Sequence, residues 1–144
     1  MVTVERTFIV DRPIEIVVCY LTDFARAEDW DPGTRRCTRI GGDGPIGLGA
    51  AWQNLSGIRG REFELEYHLA ALEPGHLVFV GSSEAVTSTH DLGFVALGTG
   101  TSVTYRATIE FHGLAKLATP FMQAEIERLG DATQSQLTKV INNL

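Results

Sequence analysis

The chain has 144 residues, 44% hydrophobic and 21% charged, the size and composition of one globular domain that can build a core without a disulfide or structural metal. Disordered and fibrous classes are thereby excluded. A net charge of −6 disfavours nucleic acid, whose phosphates call for clustered Lys and Arg, and equally disfavours anchoring on anionic lipid. The short basic clusters Arg35-Arg36 and Arg59-Gly60-Arg61 make no basic face and read as solvated strand ends.

No stretch reaches the roughly 18–20 apolar residues of a membrane span, and residues 1–11 carry charges and no apolar h-region. The expectation is a cytoplasmic protein without membrane insertion, a monomer or homodimer, with Cys19 and Cys37 as reduced packing thiols.

Residues 4–10 read as a strand, with Thr7 and Ile9 on one side and Arg6 and Phe8 on the other. Pro13 stops strand pairing and suits the first turn of a helix. Segment 14–21 is in local conflict. Its β-branched run favours a strand, whereas Pro13, Glu15 and the series Ile14, Val17, Val18, Leu21 and Phe24 fit a helix. The helical spacing prevails. A second short helix is expected over 26–30, ending at Asp31-Pro32-Gly33 because the residue before proline avoids helical dihedrals.

From 34 to 112 the chain reads as consecutive strands. Turn clusters fall at Gly41-Gly42-Asp43-Gly44-Pro45, at 57–60, at Pro74-Gly75 and at Gly98-Thr99-Gly100. Between them lie strands over 49–56, 62–69, 76–81 and 86–97. In 62–69 strict alternation places Phe63, Leu65, Tyr67 and Leu69 inward. The last strand carries Val103, Tyr105, Ala107, Ile109 and Phe111 on one face.

After Gly113 the pattern turns helical to Leu144. Leu114, Leu117, Ala118, Phe121, Leu129 and Ala132 share one face at about 100° per residue. Pro120 either kinks this stretch or begins a new helix capped by Thr119. Gly130 costs about 1 kcal/mol relative to alanine and fits a helix passing close to a sheet. The expected architecture is α+β: about seven antiparallel strands, two short helices after the first, and a long C-terminal helix covering the apolar face of the sheet. No boundary interrupts residues 1–144.

This order resembles the START-like superfamily, also called SRPBCC, with its helix-grip fold, and in particular the branch described as polyketide cyclase/dehydrase. The likeness is carried by Pro13 with Tyr20-Leu21-Thr22-Asp23-Phe24, by Trp30-Asp31-Pro32-Gly33, and by Gly47-Leu48-Gly49. It continues through Gly60-Arg61-Glu62-Phe63-Glu64 with Tyr67, Leu72-Glu73-Pro74-Gly75, and Gly100-Thr101-Ser102-Val103-Thr104-Tyr105, to Arg128-Leu129-Gly130-Asp131. The resemblance implies a small, largely hydrophobic ligand, lipid- or polyketide-like, held between sheet and helix without a cofactor. The alternative it implies is an aromatase/cyclase. It maps no catalytic motif onto this chain, so a site has to be argued from residues.

No GxSxG elbow, HExxH, Gly-rich phosphate loop or metal-ligand spacing is present, and no metal site is expected. His68 and His112 follow polar strand faces. His90 shares parity with Val86, Leu92 and Phe94 and should point inward. It is either a group orienting a ligand or acting as acid/base, or a core-edge histidine bonded to backbone or water. Glu125 falls inside the apolar stripe of the last helix. It either lines a cavity with a raised pKa or is rotated to solvent by Pro120 and pairs with Arg128.

Trp52, Tyr67 and Tyr105 lie at inward positions, as pocket or as plain core. Trp30 either gates a pocket or packs the small helices. The expected cavity walls are Trp52, Tyr67, His90, Phe94, Tyr105, Phe121, Glu125 and Leu129. Were the protein a cyclase, His90, Glu125 and Tyr105 would be its acid-base and hydrogen-bonding groups.

Overall fold

The computed structural model describes residues 1–144. Its elements are β1 (Val2–Val10), α1 (Ile14–Thr22), a 3₁₀ turn at Phe24–Arg26, α2 (Ala27–Trp30), β2 (Thr34–Ile40), β3 (Ala51–Ile58), β4 (Arg61–Glu73), β5 (His76–Ser82), β6 (Val86–Leu97), β7 (Gly100–Phe111), a 3₁₀ segment at Gly113–Ala118, and α3 (Thr119–Asn142). Seven strands form one sheet in the order β1-β7-β6-β5-β4-β3-β2, and every pairing is antiparallel. Register shifts in β2 and β4 mark bulges, which bend the sheet. The curved sheet grips α3, as expected.

The conflict at residues 14–21 resolves to helix. Pro13 sits at its N-cap in extended geometry, and Val17 and Leu21 are buried while Ile16 faces solvent. Phe24 follows from the 3₁₀ turn and enters the core, its ring centroid 4.5 Å from those of Tyr67 and Phe79. Asp23 caps that turn by accepting from Ala25 N–H at 3.0 Å and accepts from Trp52 Nε1 at 3.1 Å. One carboxylate thus ties the helical lid to β3.

The final helix departs from the expected phase. Residues 113–118 wind as 3₁₀, at about 3.0 residues per turn rather than 3.6, so a stripe counted through them as one α-helix comes out rotated. Leu114, Leu117 and Phe121 are exposed, at 88%, 74% and 72%. The face of α3 turned inward is Met122, Ile126, Gly130, Thr133, Leu137 and Ile141. Pro120 stands in the first turn of α3, where its missing N–H is harmless, and Thr119 makes no side-chain cap.

Gly130 meets its expectation: a Cβ there would come 2.7 Å from Val4 Cγ2. Arg6 bridges the same contact, bonding Glu127 and Asp131 at 2.8 Å each. No helix is long and apolar enough to cross a membrane.

Candidate functional site: the cavity beneath the C-terminal helix

Between the concave sheet face and α3 lies a cavity of about 460 Å³, a volume suited to a small-molecule ligand. Much of its wall is apolar, including Phe63 and Leu65 of β4, Ala107 and Ile109 of β7, and Met122 and Ile126 of α3. Lining residues are buried where Tyr67 and His90 sit and exposed at Arg59, Arg61 and Ala85. The cavity therefore opens between the β3–β4 and β5–β6 hairpins.

Three adjacent inward positions place a polar chain inside. Tyr67 Oη lies 3.2 Å from His90 Nε2, and His90 Nδ1 lies 2.8 Å from Tyr105 Oη. All three side chains are buried. Tyr67 reaches this position because β5 offers Gly81 opposite it, where a Cβ would stand 2.5 Å from the ring. Trp30 backs the chain edge-on, 5.8 Å from the His90 ring at 86° and 6.1 Å from Tyr105 at 79°. It packs rather than gates.

Burial pushes the His90 pKa down, against a smaller opposing pull from the Asp31 carboxylate, so the imidazole is neutral near pH 7. Burial also raises both phenols. A neutral imidazole has one N–H and one acceptor nitrogen. It therefore donates to one tyrosine and accepts from the other, whichever tautomer is present. Beyond the histidine one phenol still has an O–H and the other an oxygen acceptor, and the Ser88 and Thr133 hydroxyls of the cavity wall stand within reach of Tyr67 and Tyr105 respectively. The polar chain thus runs on through Ser88 and Thr133, which face the same cavity.

A second polar line approaches from β2 and β3. Ser56 Oγ donates to Asn54 Oδ1, Asn54 Nδ2 donates to Thr34 Oγ1 at 3.0 Å, and Thr34 Oγ1 donates to Asp31 Oδ2 at 2.8 Å. Asp31 and Ser56, its two ends, both line the cavity. Cys37 packs beside Asn54, and burial pushes its thiol up to about 12, so it is no nucleophile.

Of the residues expected to form the walls, the structure brings Tyr67, His90, Tyr105 and Leu129 together. The other four lie elsewhere. Trp52 is buried against Phe24 and Phe79 with its N–H on Asp23. Phe94 is buried further along β6, opposite Val103. Phe121 faces solvent. Glu125 is half-buried outside the cavity lining and pairs with the exposed Arg128, and that guanidinium holds its carboxyl below the usual range instead of raising it. His90 lines the cavity and Glu125 does not: the Glu125 side chain is largely covered and is held in its ion pair with Arg128.

Sequence reasoning missed Asp31, Ser56, Ser88, Thr133, Arg59 and Arg61 as lining residues. Only Arg61 left a clear signal, since it continues the inward parity of Phe63, Leu65 and Tyr67. Among the other histidines, His68 lies 3.1 Å from Glu66, His76 2.8 Å from Asp91, and His112 2.8 Å from Thr87. No His, Cys, Asp or Glu side chains cluster in a group that would hold a metal.

Solved structures of the same shape include an aromatase/cyclase, Zhui, from Streptomyces sp. R1128. It is 15% identical, with a TM-score of 0.78 over 96% of this chain and 92% of its own. A START superfamily protein from Mycobacterium smegmatis is also 15% identical, with a TM-score of 0.72 over 98% and 94%. A conserved protein from Geobacillus kaustophilus is 14% identical, with a TM-score of 0.74 over 99% and 96%. At such identities these likenesses establish the helix-grip fold alone. No curated protein matches the chain in sequence. The sequence profile described as polyketide cyclase/dehydrase and lipid transport does match, over residues 1–141, and the chain belongs to that family.

Proposed function

We propose that the chain binds a small, largely apolar molecule in the cavity under α3, oriented by the Tyr67–His90–Tyr105 chain. The observation that carries this reading is the coincidence of an apolar chamber of about 460 Å³ with a buried donor-acceptor chain inside it. An ordinary core would fill such space. A connected row of hydroxyl and imidazole groups in an apolar wall, Ser88 and Thr133 included, suits a ligand or water that faces it.

The test is titration with a neutral solvatochromic dye such as Nile red, followed by displacement with long-chain ketones and alcohols. Saturable binding is expected in the wild type, and Ala107→Trp should abolish it while the circular dichroism stays native. Absence of saturable binding, or binding unaffected by Ala107→Trp, would refute the reading.

The family to which the chain belongs favours a second reading, a cyclase. The phenol whose O–H donates to His90 would take a proton from carbon next to a ketone at its oxygen while passing its own proton to the neutral imidazole, and the other phenol's O–H would donate to the enolate oxygen. Glu125 takes no part, being outside the cavity. Turnover of a poly-β-ketone thioester mimic that is lost in His90→Gln would favour this reading over simple carriage.

A further inference from the structure

The exposed rim of the cavity is cationic in an acidic protein. Arg59 and Arg61 both line it, and neither takes part in any of the ion pairs of the structure. Arg61 stands at an inward position of β4, in the row of Phe63, Leu65 and Tyr67, where alternation would put an apolar side chain. Glu125 lies close enough for Arg59 to act on it, yet it is already engaged by Arg128. Two guanidinium groups therefore overlook an apolar chamber with their hydrogen bonds to protein unmade.

The backbone carries a second sign. Ile58 pairs with Arg61 across a two-residue hairpin turn, with Arg59 at φ 53° and Gly60 at φ 81°. Both central residues of such a turn need positive φ, which Asn, Asp or Gly accepts readily and a long side chain resists. An arginine held there in a strained conformation aims its side chain at the rim. Strain of this kind gathers where a ligand is gripped.

Building on the cavity-binding reading above, we infer that the ligand is amphiphilic: its apolar body fills the chamber and an anionic oxyacid group, carboxylate or phosphate, sits at the mouth between Arg59 and Arg61. Guanidinium suits either group, since its planar fork donates paired hydrogen bonds to two oxygens. Tyr67 and Arg61 lie on the same strand, ~20 Å apart along it at ~3.3 Å per residue. An extended chain of that span would meet the arginines at one end and the Tyr–His–Tyr chain at the other.

The experiment uses displacement of Nile red by palmitic acid, methyl palmitate and hexadecyl phosphate, each below its aggregation threshold. Binding of the dye and of the ester reads the chamber alone. The preference for the charged probes over the ester reads the arginines. In the wild type at least one charged probe is expected to bind about tenfold or more tightly than the ester, with the gap narrowing as salt is raised. Arg59→Ala/Arg61→Ala should close the gap by weakening the charged probes far more than the ester, with the thermal midpoint nearly unchanged. Lys116→Ala, a neighbouring cation that does not line the cavity, should keep it open.

Preference for the acid alone identifies a carboxylate ligand, and preference for the phosphate alone a phosphate monoester; both support the inference. Equal binding of all three probes, or a preference that survives in the double variant or is lost in Lys116→Ala, overturns it and leaves cavity binding standing. Failure of dye, ester and charged probes alike to bind overturns both.

Discussion

His90 is a buried imidazole whose pKa is pushed down by desolvation, and this has a signed consequence. The folded state disfavours the proton that the unfolded chain accepts near pH 6.5. Stability is therefore complete above that pH and falls as acid drives the proton on, by up to about 1.4 kcal/mol per pH unit until the folded pKa is reached. Urea unfolding at pH 7.5 and 5.5 should show this loss in the wild type and a smaller loss in His90→Gln. Equal losses would mean that the histidine is not desolvated.

Gly81 is the other residue whose role is specific. A Cβ there would stand 2.5–2.7 Å from three atoms of the Tyr67 ring. Gly81→Ala is expected to cost about 1–3 kcal/mol by overpacking, measured by urea midpoint, and to weaken dye binding as Tyr67 leaves His90. The inward direction of Tyr67, His90 and Tyr105 was legible from strand parity. Their mutual hydrogen bonds were not, because they join three different strands whose register no local pattern reveals. Asp31 was hidden for a similar reason, lying in a loop after α2 and reaching the cavity only through the fold.

At the scale of elements, the approach of α3 to β1 depends on a missing side chain. Alanine at position 130 would favour the helix by about 1 kcal/mol, but its Cβ would strike Val4 at 2.7 Å. Gly130→Ala should therefore destabilise the wild type and become neutral or stabilising in a Val4→Ala background. A double-mutant cycle read by thermal unfolding should give a coupling of about 1–2 kcal/mol. Additive effects would place the helix further from the sheet.

Element order and the helical nature of residues 14–21 were readable from turn residues and periodicity, whereas strand ends were not: β3 runs on to Ile58 and β4 to Glu73, past the expected ends at 56 and 69. The phase of α3 was not. The six residues from Gly113 to Ala118 wind as 3₁₀, and nothing in Gly-Leu-Ala-Lys-Leu-Ala distinguishes that winding from an α-helical turn. One change of pitch put Phe121 in solvent, left Glu125 beside the cavity in its pair with Arg128, and brought Met122, Ile126 and Thr133 inward.

For the whole molecule, the pairing of β1 with β7 sets an order of events. Val2 opposes Ile109 and Val10 opposes Thr101, so the earliest strand acquires its partner only when the latest one exists. Closing a loop of that length is entropically unfavourable and carries little reward until many pairs form together, which makes the route to the native state slow for a domain this small. Meanwhile β2 to β7 can zip as successive hairpins, leaving an apolar concave face with no lid until α3 arrives. Such a face is prone to association with other chains. It is also wide open, and an apolar molecule present during synthesis would meet a half-built cup rather than a narrow mouth, to be enclosed when β1 and α3 settle over it.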